Sequence, residues 1–453
     1  MSIFKACDIR GVVGQDFDED VARRIGCSLA AMIRRRGEQA IHVGGDFRRS
    51  TPALKQALVA GLLDGGATVH DLGQLATPVV YFASEVMGCG NAAIVTASHN
   101  PGRYNGVKFM VAGRPAVPEL VAELHAGLDC PPAASRGKTI ETRVLKAYEG
   151  WMGTEATDLP EAPRRGLRVV VDTMGGAFAE VAPRVLRATG CNVTTVPEGE
   201  TVDPDFGSRA PNPAVDENLA ALCRQVVAEG AEVGIAFDGD GDRVAFVDHT
   251  GRIARPEQIG ALIVEENFDR PVVVYDQKCA SVLPKTVLAI GGEPVMQPSG
   301  YGFIRSTMID RKADFGVEVS GHYFFETLGG RDDGLYAALV LLAGLAYGNR
   351  SLGDLVSAVG WPAITPDLRI PFRGDANAVL ERISAGCGGW VSRIDGVRAD
   401  YDDGWALARA SITEPAMTLR FEGRDRECMK AIVDRFLAGA PELLASVKEK
   451  IHE

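Results

Sequence analysis

Residues 92–101 read Ala-Ala-Ile-Val-Thr-Ala-Ser-His-Asn-Pro, and this stretch decides the fold. The apolar run 92–95 is typical of a short buried strand. The polar turn after it places Ser98 just past the carboxyl end of that strand, where open α/β sheets bind their ligands. We therefore predict a reactive hydroxyl at Ser98. Thr, Ser and Asn also bond to nearby backbone in ordinary turns, which leaves a purely structural turn as the alternative.

Strands and helices alternate around this stretch. The pattern predicts strands at 40–43 and 68–72, and helices at 21–34, from a cap at Ser50 or Thr51 to 65–66, and at 78–86. The same strand-helix-strand unit returns at 167–196 and again from 271 onward. Three such units predict three similar α/β domains. The dinucleotide fingerprint G-x-G-x-x-G is absent from their turns, which argues against a Rossmann dehydrogenase.

The pattern changes after Asp367. Strands are predicted at 368–372, 390–393, 405–410 and 416–421, and helices at 376–385 and 427–450. The predicted fold class is therefore α/β: three similar mixed α/β domains, each with a sheet sandwiched between helices, and a smaller C-terminal α+β domain.

Composition and charge limit the kinds of partner. The chain has 453 residues, of which 46% are hydrophobic and 24% charged, as is typical of globular proteins. Its formal net charge of −12 repels nucleic acids and anionic membrane surfaces. We therefore expect no nucleic acid and no membrane as partners, and an anionic substrate must be bound by local cationic groups.

Other features of the sequence bear on location. The nine cysteines include no Cys-x-x-Cys pair, and an odd, unpaired set favours a reducing compartment. Lys5, Asp8 and Arg10 stand where an export signal needs its apolar core. The apolar stretch 335–347 is too short to span a bilayer, and it follows a helix-start signature at 332–334. We expect a cytoplasmic enzyme with a buried helix at that stretch.

A second loop, Asp238-Gly239-Asp240-Gly241-Asp242-Arg243, lies between two apolar segments. Its carboxylates alternate with glycines, which let the backbone curl so that the oxygens converge on one hard cation. Without a cation, each pair of carboxylates repels by about 1 to 4 kcal/mol. An EF-hand is excluded, because Arg243 stands where that loop needs Gly and His249 where it needs a bidentate Glu. The loop predicts a Mg²⁺ site, and a solvated acidic turn is the alternative.

Glu318, Ser320 and His322 alternate along the chain. On an extended segment their side chains share one face, and a carboxylate, a hydroxyl and an imidazole together suit the hydroxyls of a sugar. An edge strand with its polar side in water is the alternative.

Two more groups of residues are candidates for binding an anion. Arg409, Ser411 and Thr413 offer a guanidinium and two hydroxyls in one turn, which suits a phosphate. Lys108 is a candidate base or phosphate contact near Ser98, and Lys278 follows the end of a predicted strand. An isolated lysine is more often an ordinary surface charge.

Taken together, these loops resemble those of the α-D-phosphohexomutase superfamily, and most closely those of its phosphomannomutase/phosphoglucomutase branch. The family motifs T-A-S-H-N-P, D-G-D-G-D-R, G-E-x-S-G-H and R-x-S-x-T-E-P match 96–101, 238–243, 318–322 and 409–415. Its D-I-R-G and D-x-K-C motifs resemble 8–11 and 276–279. The motifs occur in the family's order and cover essentially the whole chain.

The resemblance implies four domains around a central cleft, each of which contributes one loop. These are a phosphoserine domain at 1–147, a metal-binding domain at 148–252, a sugar-binding domain at 253–364 and a C-terminal phosphate-binding domain at 365–453.

The resemblance also implies residue roles. Ser98 carries the phosphoryl group, and the residues that hold one Mg²⁺ per chain are Ser98, Asp238, Asp240 and Asp242. The catalytic set is Ser98, His99 supporting it, Lys108 as candidate general base, Arg243 as a positive charge, and His322 as acid or sugar contact. The implied substrate-binding set is Arg10, Lys278, Glu318, Ser320, His322, Arg409, Ser411 and Thr413.

The activity that the resemblance implies is that of an isomerase, a phosphosugar mutase. It moves a phosphoryl group between C1 and C6 of mannose or glucose phosphate through a 1,6-bisphosphate intermediate, with a hexose 1,6-bisphosphate as activator. Hexose phosphates are the expected partners, and the chain is expected to be a monomer or a homodimer. A phosphoglucosamine mutase is the alternative, although that branch usually has Gln at the position of Val319. A sugar phosphatase and a non-catalytic phosphosugar-binding protein are more distant alternatives.

The chain departs from the family pattern at four positions. Cys7 stands where the branch often has Tyr, Tyr301 where it often has His, and Arg305 where Lys is usual. Val317 replaces the usual Gly before Glu318. These departures bear on proton transfer and on the ranking of substrates.

Overall fold

The computed structural model describes residues 3–154, 166–411 and 415–452. Its strands form four separate sheets, three of them mixed and the last antiparallel. The predicted fold class, three mixed α/β domains followed by a smaller C-terminal domain, is confirmed.

The first sheet has the strand order β1-β5-β4-β2-β3-β7, and β6 pairs with β5. Its strands are β1 (Ile9–Val12), β2 (Ala40–Gly45), β3 (Thr68–Gln74), β4 (Ala92–Val95), β5 (Tyr104–Val111), β6 (Arg114–Pro115) and β7 (Lys138–Glu141). The helices of this region are α1 (Glu19–Arg35), α2 (Thr51–Asp64), α3 (Thr77–Val86), α4 (Pro118–Ala126) and α5 (Leu145–Thr154).

Strand β4 shows why this sheet is buried on both faces. Its side chains alternate between two hydrophobic clusters: Ala92 and Ile94 belong to one, and Ala93 and Val95 to the other. A strand that is covered on both faces has a continuous apolar sequence rather than an alternating one. The run 92–95 is therefore apolar at every position.

The second and third sheets have orders β12-β11-β10-β8-β9 and β14-β13-β15-β16-β17. The second domain contains β8 (Arg168–Asp172), α6 (Val181–Ala188), β9 (Asn192–Thr195), α7 (Ala220–Glu229), β10 (Val233–Phe237), β11 (Val244–Asp248) and β12 (Ile253–Ala254). The third contains α8 (Pro256–Asn267), β13 (Val272–Asp276), α9 (Val282–Ala289), β14 (Glu293–Gln297), α10 (Tyr301–Arg311), β15 (Phe315–Val317), β16 (Tyr323–Phe325), β17 (Arg331–Asp332), α11 (Gly334–Tyr347) and α12 (Leu352–Val359).

The three mixed sheets share one topology. In each, a parallel strand (β4, β10 or β15) lies beside the domain's central strand and then turns back into an antiparallel neighbour (β5, β11 or β16). The segments 96–103, 238–243 and 318–322 are these three turns. The serine, aspartate and sugar motifs therefore occupy equivalent positions in three repeats of one fold.

The fourth sheet has the order β18-β23-β22-β21-β20, and β19 pairs with β23. Its domain contains β18 (Ala363–Ile364), β19 (Leu368–Pro371), α13 (Ala376–Gly386), β20 (Trp390–Ser392), β21 (Val397–Tyr401), β22 (Gly404–Ala410), β23 (Ala416–Gly423), α14 (Arg426–Phe436) and α15 (Pro441–His452). The prediction of one helix over 427–450 is wrong. The chain breaks between α14 and α15 because Pro441 disfavours the helical conformation at Ala440, whose φ is −141°.

Helix α11 is the buried helix that the sequence predicts. Its start is capped by Asp333, whose Oδ1 accepts hydrogen bonds from the main-chain N–H groups of Leu335 (2.9 Å) and Tyr336 (3.1 Å). Within the described part of the chain, no single helix is both long enough and apolar enough to cross a membrane. Helices α11 and α12 pass that test only as a pair, which is bent by 101°.

The fourth domain docks on the third through the segment 276–281. Nε2 of Gln277 donates to the main-chain oxygen of Asp395 at 3.1 Å, and the Arg398 guanidinium donates to the main-chain oxygen of Gln277. The main-chain N–H of Ser281 donates to Oε2 of Glu422 at 2.9 Å. The loop that carries Lys278 is therefore part of the interface between these two domains.

Candidate active site

Ser98 is fully buried in the turn between β4 and β5. Its Oγ donates a hydrogen bond to Oδ2 of Asp238, at 2.7 Å, across the boundary between the first and second domains. The Ser98 backbone is left-handed, with a φ of 51°, which is uncommon for a residue other than glycine. A Cβ on Gly239 would lie 2.5 Å from the Ser98 carbonyl oxygen, so the close approach of the two loops requires glycine there.

His99 lies beside the serine, with Nδ1 3.2 Å from Oγ of Ser98. Burial lowers the pKa of His99 well below its usual value, and the charges of Arg243 and Arg10 lower it further. His99 is therefore a neutral imidazole that can hold the serine side chain in place.

The three aspartates of the second loop converge as the sequence predicts. Carboxylate oxygens of Asp238, Asp240 and Asp242 lie within 4.8 Å of one another, and all three residues are buried. The loop curls around Asp238, whose Oδ1 accepts from the main-chain N–H groups of Gly241 (2.9 Å) and Arg243 (3.2 Å).

Lys108 provides the cation of this cluster. Its Nζ lies 2.7 Å from Oδ2 of Asp240 and also contacts Oδ2 of Asp242. Burial by itself lowers the pKa of Lys108, but the two carboxylates raise it well above its usual value. Lys108 is therefore held as an ammonium ion in this arrangement.

The aspartates respond differently to this environment. Burial, followed by repulsion from the neighbouring carboxylates, raises the pKa of Asp238 well above its usual value and also raises that of Asp242. Burial also opposes ionisation of Asp240, but contacts with Lys108 and Thr77 lower its pKa below the usual range. Thr77 donates through Oγ1 to Oδ2 of Asp240 at 2.6 Å. Asp240 is thus the carboxylate most strongly held as an anion.

Two carboxylate oxygens of this cluster are available as ligands for a metal ion. Oδ1 of Asp240 and Oδ1 of Asp242 are buried, and neither has a hydrogen-bond partner in the described ranges. Buried carboxylate oxygens without donors are costly, and hard oxygen ligands are the preference of Mg²⁺. The residues present therefore fit a divalent cation of this kind.

His322 links the sugar motif to the metal loop. Nε of Arg243 donates to Nε2 of His322 at 2.8 Å, and Nδ1 of His322 lies 2.6 Å from Oδ2 of Asp332. The ring proton therefore resides on Nδ1, and Nε2 is the acceptor atom. Burial opposes protonation of His322, but Asp242, with a further contribution from Asp332, raises its pKa above the usual value.

Glu318, Ser320 and His322 do not lie on an extended strand, so that part of the prediction is wrong. They form a tight hairpin turn in which the main-chain N–H of Gly321 donates to the Glu318 oxygen at 3.0 Å. Gly321 has a φ of 92°, which favours glycine, and this conformation turns the chain back into β16.

Two polar atoms of this turn are available to a ligand. Oε2 of Glu318 and Oγ of Ser320 are buried, and the described residues supply a hydrogen-bond partner to neither. Burial raises the pKa of Glu318, although the charge of His322 opposes that change. A carboxyl and a hydroxyl left without partners in one turn suit the hydroxyl groups of a sugar.

Arg10 lies at the phosphoserine turn. Its Nη1 donates to Oδ1 of Asn100 at 2.6 Å, and its Nη2 pairs with Oδ2 of Asp8 at 2.5 Å. The structure therefore brings Arg10 next to the loop of Ser98 by way of Asn100.

Lys278 and Arg409 lie where the third and fourth domains meet. Nζ of Lys278 is 3.3 Å from Oδ2 of Asp367, and Nη1 of Arg409 is 2.5 Å from Oδ2 of Asp395. Burial opposes the charge on Lys278, but Asp276 and Asp367 raise its pKa.

The remaining residues of the predicted phosphate loop are less fully described. The main-chain N–H of Ser411 donates to the Ala416 oxygen at 2.9 Å, which closes the base of the turn. Thr413 lies outside the described residues.

A cavity of about 580 Å³ adjoins the sugar turn. Lys278 and Ser320 line it together with Asp367, which directly precedes β19, and Arg420 of β23. The sugar turn therefore borders a space that lies between domains.

The structure shows the contacts of three residues that depart from the family pattern: Cys7, Tyr301 and Arg305. Tyr301 is buried, its hydroxyl donates to the main-chain oxygen of Cys7 at 2.8 Å, and its ring centroid lies 6.5 Å from that of His322. Arg305 is buried away from the phosphoserine turn, with Nη2 2.9 Å from Sδ of Met110, and burial lowers its pKa to about 10. Tyr301 thus joins the amino-terminal segment to the third domain.

Sequence reasoning missed three residues of this site. Asp332 holds His322, Thr77 holds Asp240, and Asp395 pairs with Arg409. In the sequence, Asp332 and Thr77 stand where a helix is predicted to begin, and nothing else marked them as site residues. Asp332 ends β17, and Thr77 begins α3 shortly after the end of β3. A polar residue at the end of a strand, or just past it, was the signal that could have marked them.

Comparison with protein families finds four matches along the chain, each described as phosphoglucomutase/phosphomannomutase. The alpha/beta/alpha domains I, II and III match residues 1–129, 152–251 and 255–360, and the C-terminal domain matches 370–439.

Characterised relatives cover nearly the whole chain. A phosphomannomutase/phosphoglucomutase of Pseudomonas aeruginosa is 36% identical over 440 residues, covering 95% of this chain and 94% of the relative. A phosphoglucomutase of Neisseria gonorrhoeae is 33% identical over 451 residues, with 96% of each chain covered. A crystal structure of a phosphoglucomutase/phosphomannomutase family protein from Burkholderia thailandensis superposes with a TM-score of 0.89 at 34% identity, covering 98% of this chain and 97% of the other.

Proposed function

The chain belongs to the phosphoglucomutase/phosphomannomutase family of the α-D-phosphohexomutases, and from this premise we propose that it is a phosphosugar mutase. It moves a phosphoryl group between C1 and C6 of mannose or glucose phosphate, which makes it an isomerase. Hexose phosphates are its substrates.

The observation that carries this proposal is the position of Ser98. A buried serine hydroxyl 2.7 Å from a carboxylate oxygen, at the edge of a cluster of three aspartates, is placed to carry a phosphoryl group. Covalent transfer through this group splits one difficult migration into two steps.

We propose that Asp238, Asp240 and Asp242, together with the phosphorylated Ser98, hold one Mg²⁺. When bound, this ion supplies charge neutralisation and polarises the phosphoryl group. Lys108 adds a second positive charge to the cluster.

In the first transfer, the bond from Oγ of phosphorylated Ser98 to phosphorus breaks as a bond from a sugar hydroxyl to phosphorus forms. Oγ leaves as an alkoxide, which accepts a phosphoryl group again in the second transfer. We assign the proton of that hydroxyl to Nε2 of His322, because Asp332 holds the opposite ring nitrogen. The sugar hydroxyl then displaces Nε of Arg243, which donates to Nε2 at 2.8 Å in the structure. Lys108, which the sequence suggests as the base, is better suited to remain charged, because two carboxylates contact its Nζ.

In the second transfer, the bisphosphorylated sugar has turned end for end and returns its other phosphoryl group to Ser98. His322 gives its proton back to the oxygen that loses phosphorus. In this proposal Arg409 and Ser411 of the fourth domain bind the phosphate that does not react. Glu318 and Ser320 bind the sugar hydroxyls through Oε2 and Oγ, which have no hydrogen-bond partner among the described residues.

Several finer points belong to the same proposal. A hexose 1,6-bisphosphate serves as activator, because it supplies the phosphoryl group to an unphosphorylated Ser98. All nine cysteines are free thiols, which supports a cytoplasmic location. A monomer or a homodimer, and the domain boundaries at 147/148, 252/253 and 364/365, remain predictions.

The test is a substrate panel for the purified chain and a Ser98→Ala variant. Mannose, glucose and glucosamine 1-phosphates are supplied with Mg²⁺ and glucose 1,6-bisphosphate, and ³¹P NMR follows the 6-phosphates and inorganic phosphate. We expect the 6-phosphates of mannose or glucose to form, and Ser98→Ala to lose activity by a factor of about 10³ or more.

The matched control is Ser84→Ala, which removes another buried serine hydroxyl, one that bonds to the Val80 carbonyl within α3. It should retain the wild-type rate. Near-normal turnover by Ser98→Ala would refute the assignment, and release of inorganic phosphate in excess of isomer would indicate a phosphatase.

A further inference from the structure

A buried arginine lies directly behind the phosphoserine turn. Arg48 follows strand β2 and has a fully buried side chain. The segment that contains it, Gly-Gly-Asp-Phe-Arg-Arg at 44–49, plays no part in the proposed reaction. A buried guanidinium is costly unless all of its donors are satisfied, and here every donor has an acceptor.

Four main-chain carbonyls of the phosphoserine segment accept from the Arg48 guanidinium. Nη2 donates to the oxygens of Ser98 (2.6 Å) and Asn100 (2.7 Å). Nη1 donates to the oxygens of Pro101 (2.9 Å) and Tyr104 (3.3 Å). One planar group therefore fixes the turn along its whole length.

The fifth donor joins Arg48 to a carboxylate. Nε donates to Oδ2 of Asp46 at 2.9 Å, and the same oxygen accepts from Oγ1 of Thr96 at 2.7 Å. Oγ1 of Thr96 in turn accepts from the main-chain N–H of Ser98 at 2.9 Å. Both polar groups of the Ser98 backbone are thus held by one network, the carbonyl by Arg48 and the N–H through Thr96.

A residue of the second domain covers the face of this guanidinium. The Phe206 ring centroid lies 4.7 Å from Cζ of Arg48, in the geometry of a cation–π contact. Just outside it, exposed Arg49 pairs with Asp205 at 2.5 Å. Arg48 is therefore enclosed between the phosphoserine turn and a loop of the domain that carries the aspartates.

This arrangement explains how Ser98 keeps an uncommon backbone conformation. Its φ of 51° lies in the left-handed region, which residues other than glycine rarely adopt and which persists only where neighbours enforce it. In that conformation Oγ reaches Oδ2 of Asp238 while the carbonyl points to Arg48.

We propose that Arg48 is a positioning residue for phosphoryl transfer. It holds Ser98 in the left-handed conformation that directs Oγ at the aspartate cluster. The proposal rests on the proposed mutase function, since positioning matters only if Ser98 transfers a phosphoryl group.

The test compares Arg48→Lys with Arg49→Lys. Lysine keeps the charge but has three donors on a non-planar head, so it cannot fix four carbonyls and Asp46 together. We expect kcat of Arg48→Lys to fall about a hundredfold while KM changes less than about threefold, because misplacement of a reacting atom acts on the chemical step. Arg49→Lys, at the neighbouring exposed position, should keep the wild-type kcat.

A second readout does not depend on activity. Amide hydrogen exchange of peptides spanning 96–106 should be faster in Arg48→Lys than in wild type, and unchanged in Arg49→Lys. If the wild-type chain has no mutase activity, the proposed function fails, and with it the role of Arg48 in phosphoryl transfer. The exchange result then shows only whether Arg48 holds the Ser98 turn.

Two results would overturn the proposal. One is an unchanged kcat in Arg48→Lys together with a lower melting temperature, which would make Arg48 a structural residue only. The other is unchanged exchange over 96–106.

Should Arg48→Lys not fold, Phe206→Leu decides the question instead. It removes the ring from the guanidinium and should lower kcat about three- to tenfold, and an unchanged kcat in this variant overturns the proposal.

Discussion

Nζ of Lys108 lies 2.7 Å from Oδ2 of Asp240, inside the cluster of carboxylates that the sequence marks as a metal site. The first domain thus supplies the cation for the acidic loop of the second. An ammonium in contact with two buried carboxylates offsets the repulsion that these groups would otherwise feel.

We expect the Lys108→Met variant to be more dependent on Mg²⁺ for stability than wild type. Removing one partner of a buried ion pair costs about 3 to 5 kcal/mol, because the carboxylates are left without compensation. Mg²⁺ at a hundred times its dissociation constant contributes about 2.7 kcal/mol to the native state. Melting temperatures in EDTA and in Mg²⁺ test this, and the gain on adding Mg²⁺ should be larger in the variant.

Lys55→Met is the matched control for that experiment. Lys55 pairs with Asp71 outside the cluster, so its replacement should lower the melting temperature equally with and without Mg²⁺. An equal Mg²⁺ gain in Lys108→Met and wild type would show that Lys108 does not neutralise the metal site.

Asp395 pairs with Arg409, the residue that we propose binds substrate phosphate, and would therefore compete with that phosphate. Its Oδ2 lies 2.5 Å from Nη1 of that arginine, and both side chains are partly exposed. We expect Asp395→Asn to lower KM for hexose phosphate by a factor of about 1.4 to 5, since an exposed ion pair is worth about 0.2 to 1 kcal/mol. Steady-state kinetics measure this, with Glu381→Gln, which breaks the exposed pair with Arg393 in the same domain, as control. A raised KM would mean that Asp395 orients Arg409 instead.

His42 makes the stability of the first domain sensitive to acid. It is fully buried on β2, and burial, followed by the nearby His70, lowers its pKa from 6.5 to about 4. The unfolded chain therefore binds a proton below pH 6.5 that the folded chain does not bind until about pH 4. Stability should fall by about 1 to 2 kcal/mol between pH 7 and pH 5 from this group.

Urea unfolding at pH 7 and pH 5 measures that loss. His42→Gln removes the titration and should make the decline in the free energy of unfolding shallower. An identical decline in the variant would assign the acid sensitivity to other groups.

Helices α1 and α2 cross so closely that a side chain at Gly61 would overlap the main chain of α1. A Cβ on Gly61 would lie 1.8 Å from the main-chain oxygen of Arg23, whereas one on Gly344 in α11 has no neighbour within 4 Å in the described structure. We expect Gly61→Ala to destabilise the fold by about 1 to 3 kcal/mol through overpacking. Gly344→Ala should instead stabilise it by about 0.5 to 1 kcal/mol, because alanine favours the helix. Thermal unfolding of both variants distinguishes these outcomes, and equal effects would contradict the close crossing.

The sequence predicted best those elements whose cause is local. The strand at 92–95 has the predicted bounds because an apolar run and a polar turn fix its end. The aspartates of 238–242 converge because their spacing and their glycines act within one loop. The family resemblance was also carried by such contiguous motifs.

Predictions failed where a local pattern fits two conformations. Alternation of Glu318, Ser320 and His322 fits a strand and a hairpin turn equally, and Gly321 was the signal that favours the turn. Strand β21 was missed because Arg398 and Asp400 interrupt its apolar residues. Their charges are satisfied by each other, at 2.7 Å, and no local pattern shows that.

Apart from Ser98 and the aspartates, which the family motifs brought together, long-range partners could not be predicted. Asp332 reaches His322 from across a hairpin, and Arg48 meets Ser98 from 50 residues away. Such contacts depend on the order of strands in the sheet, which places distant loops side by side.

The loop that carries Lys278 also forms hydrogen bonds to the fourth domain, through Gln277 and Ser281. The family resemblance implies that Lys278 binds the sugar, and on that proposal an outward movement of the fourth domain would move this contact with it and couple domain opening to product release. A small molecule bound between Gln277 and Asp395 would block both domain opening and product release. Such an inhibitor need not resemble the substrate.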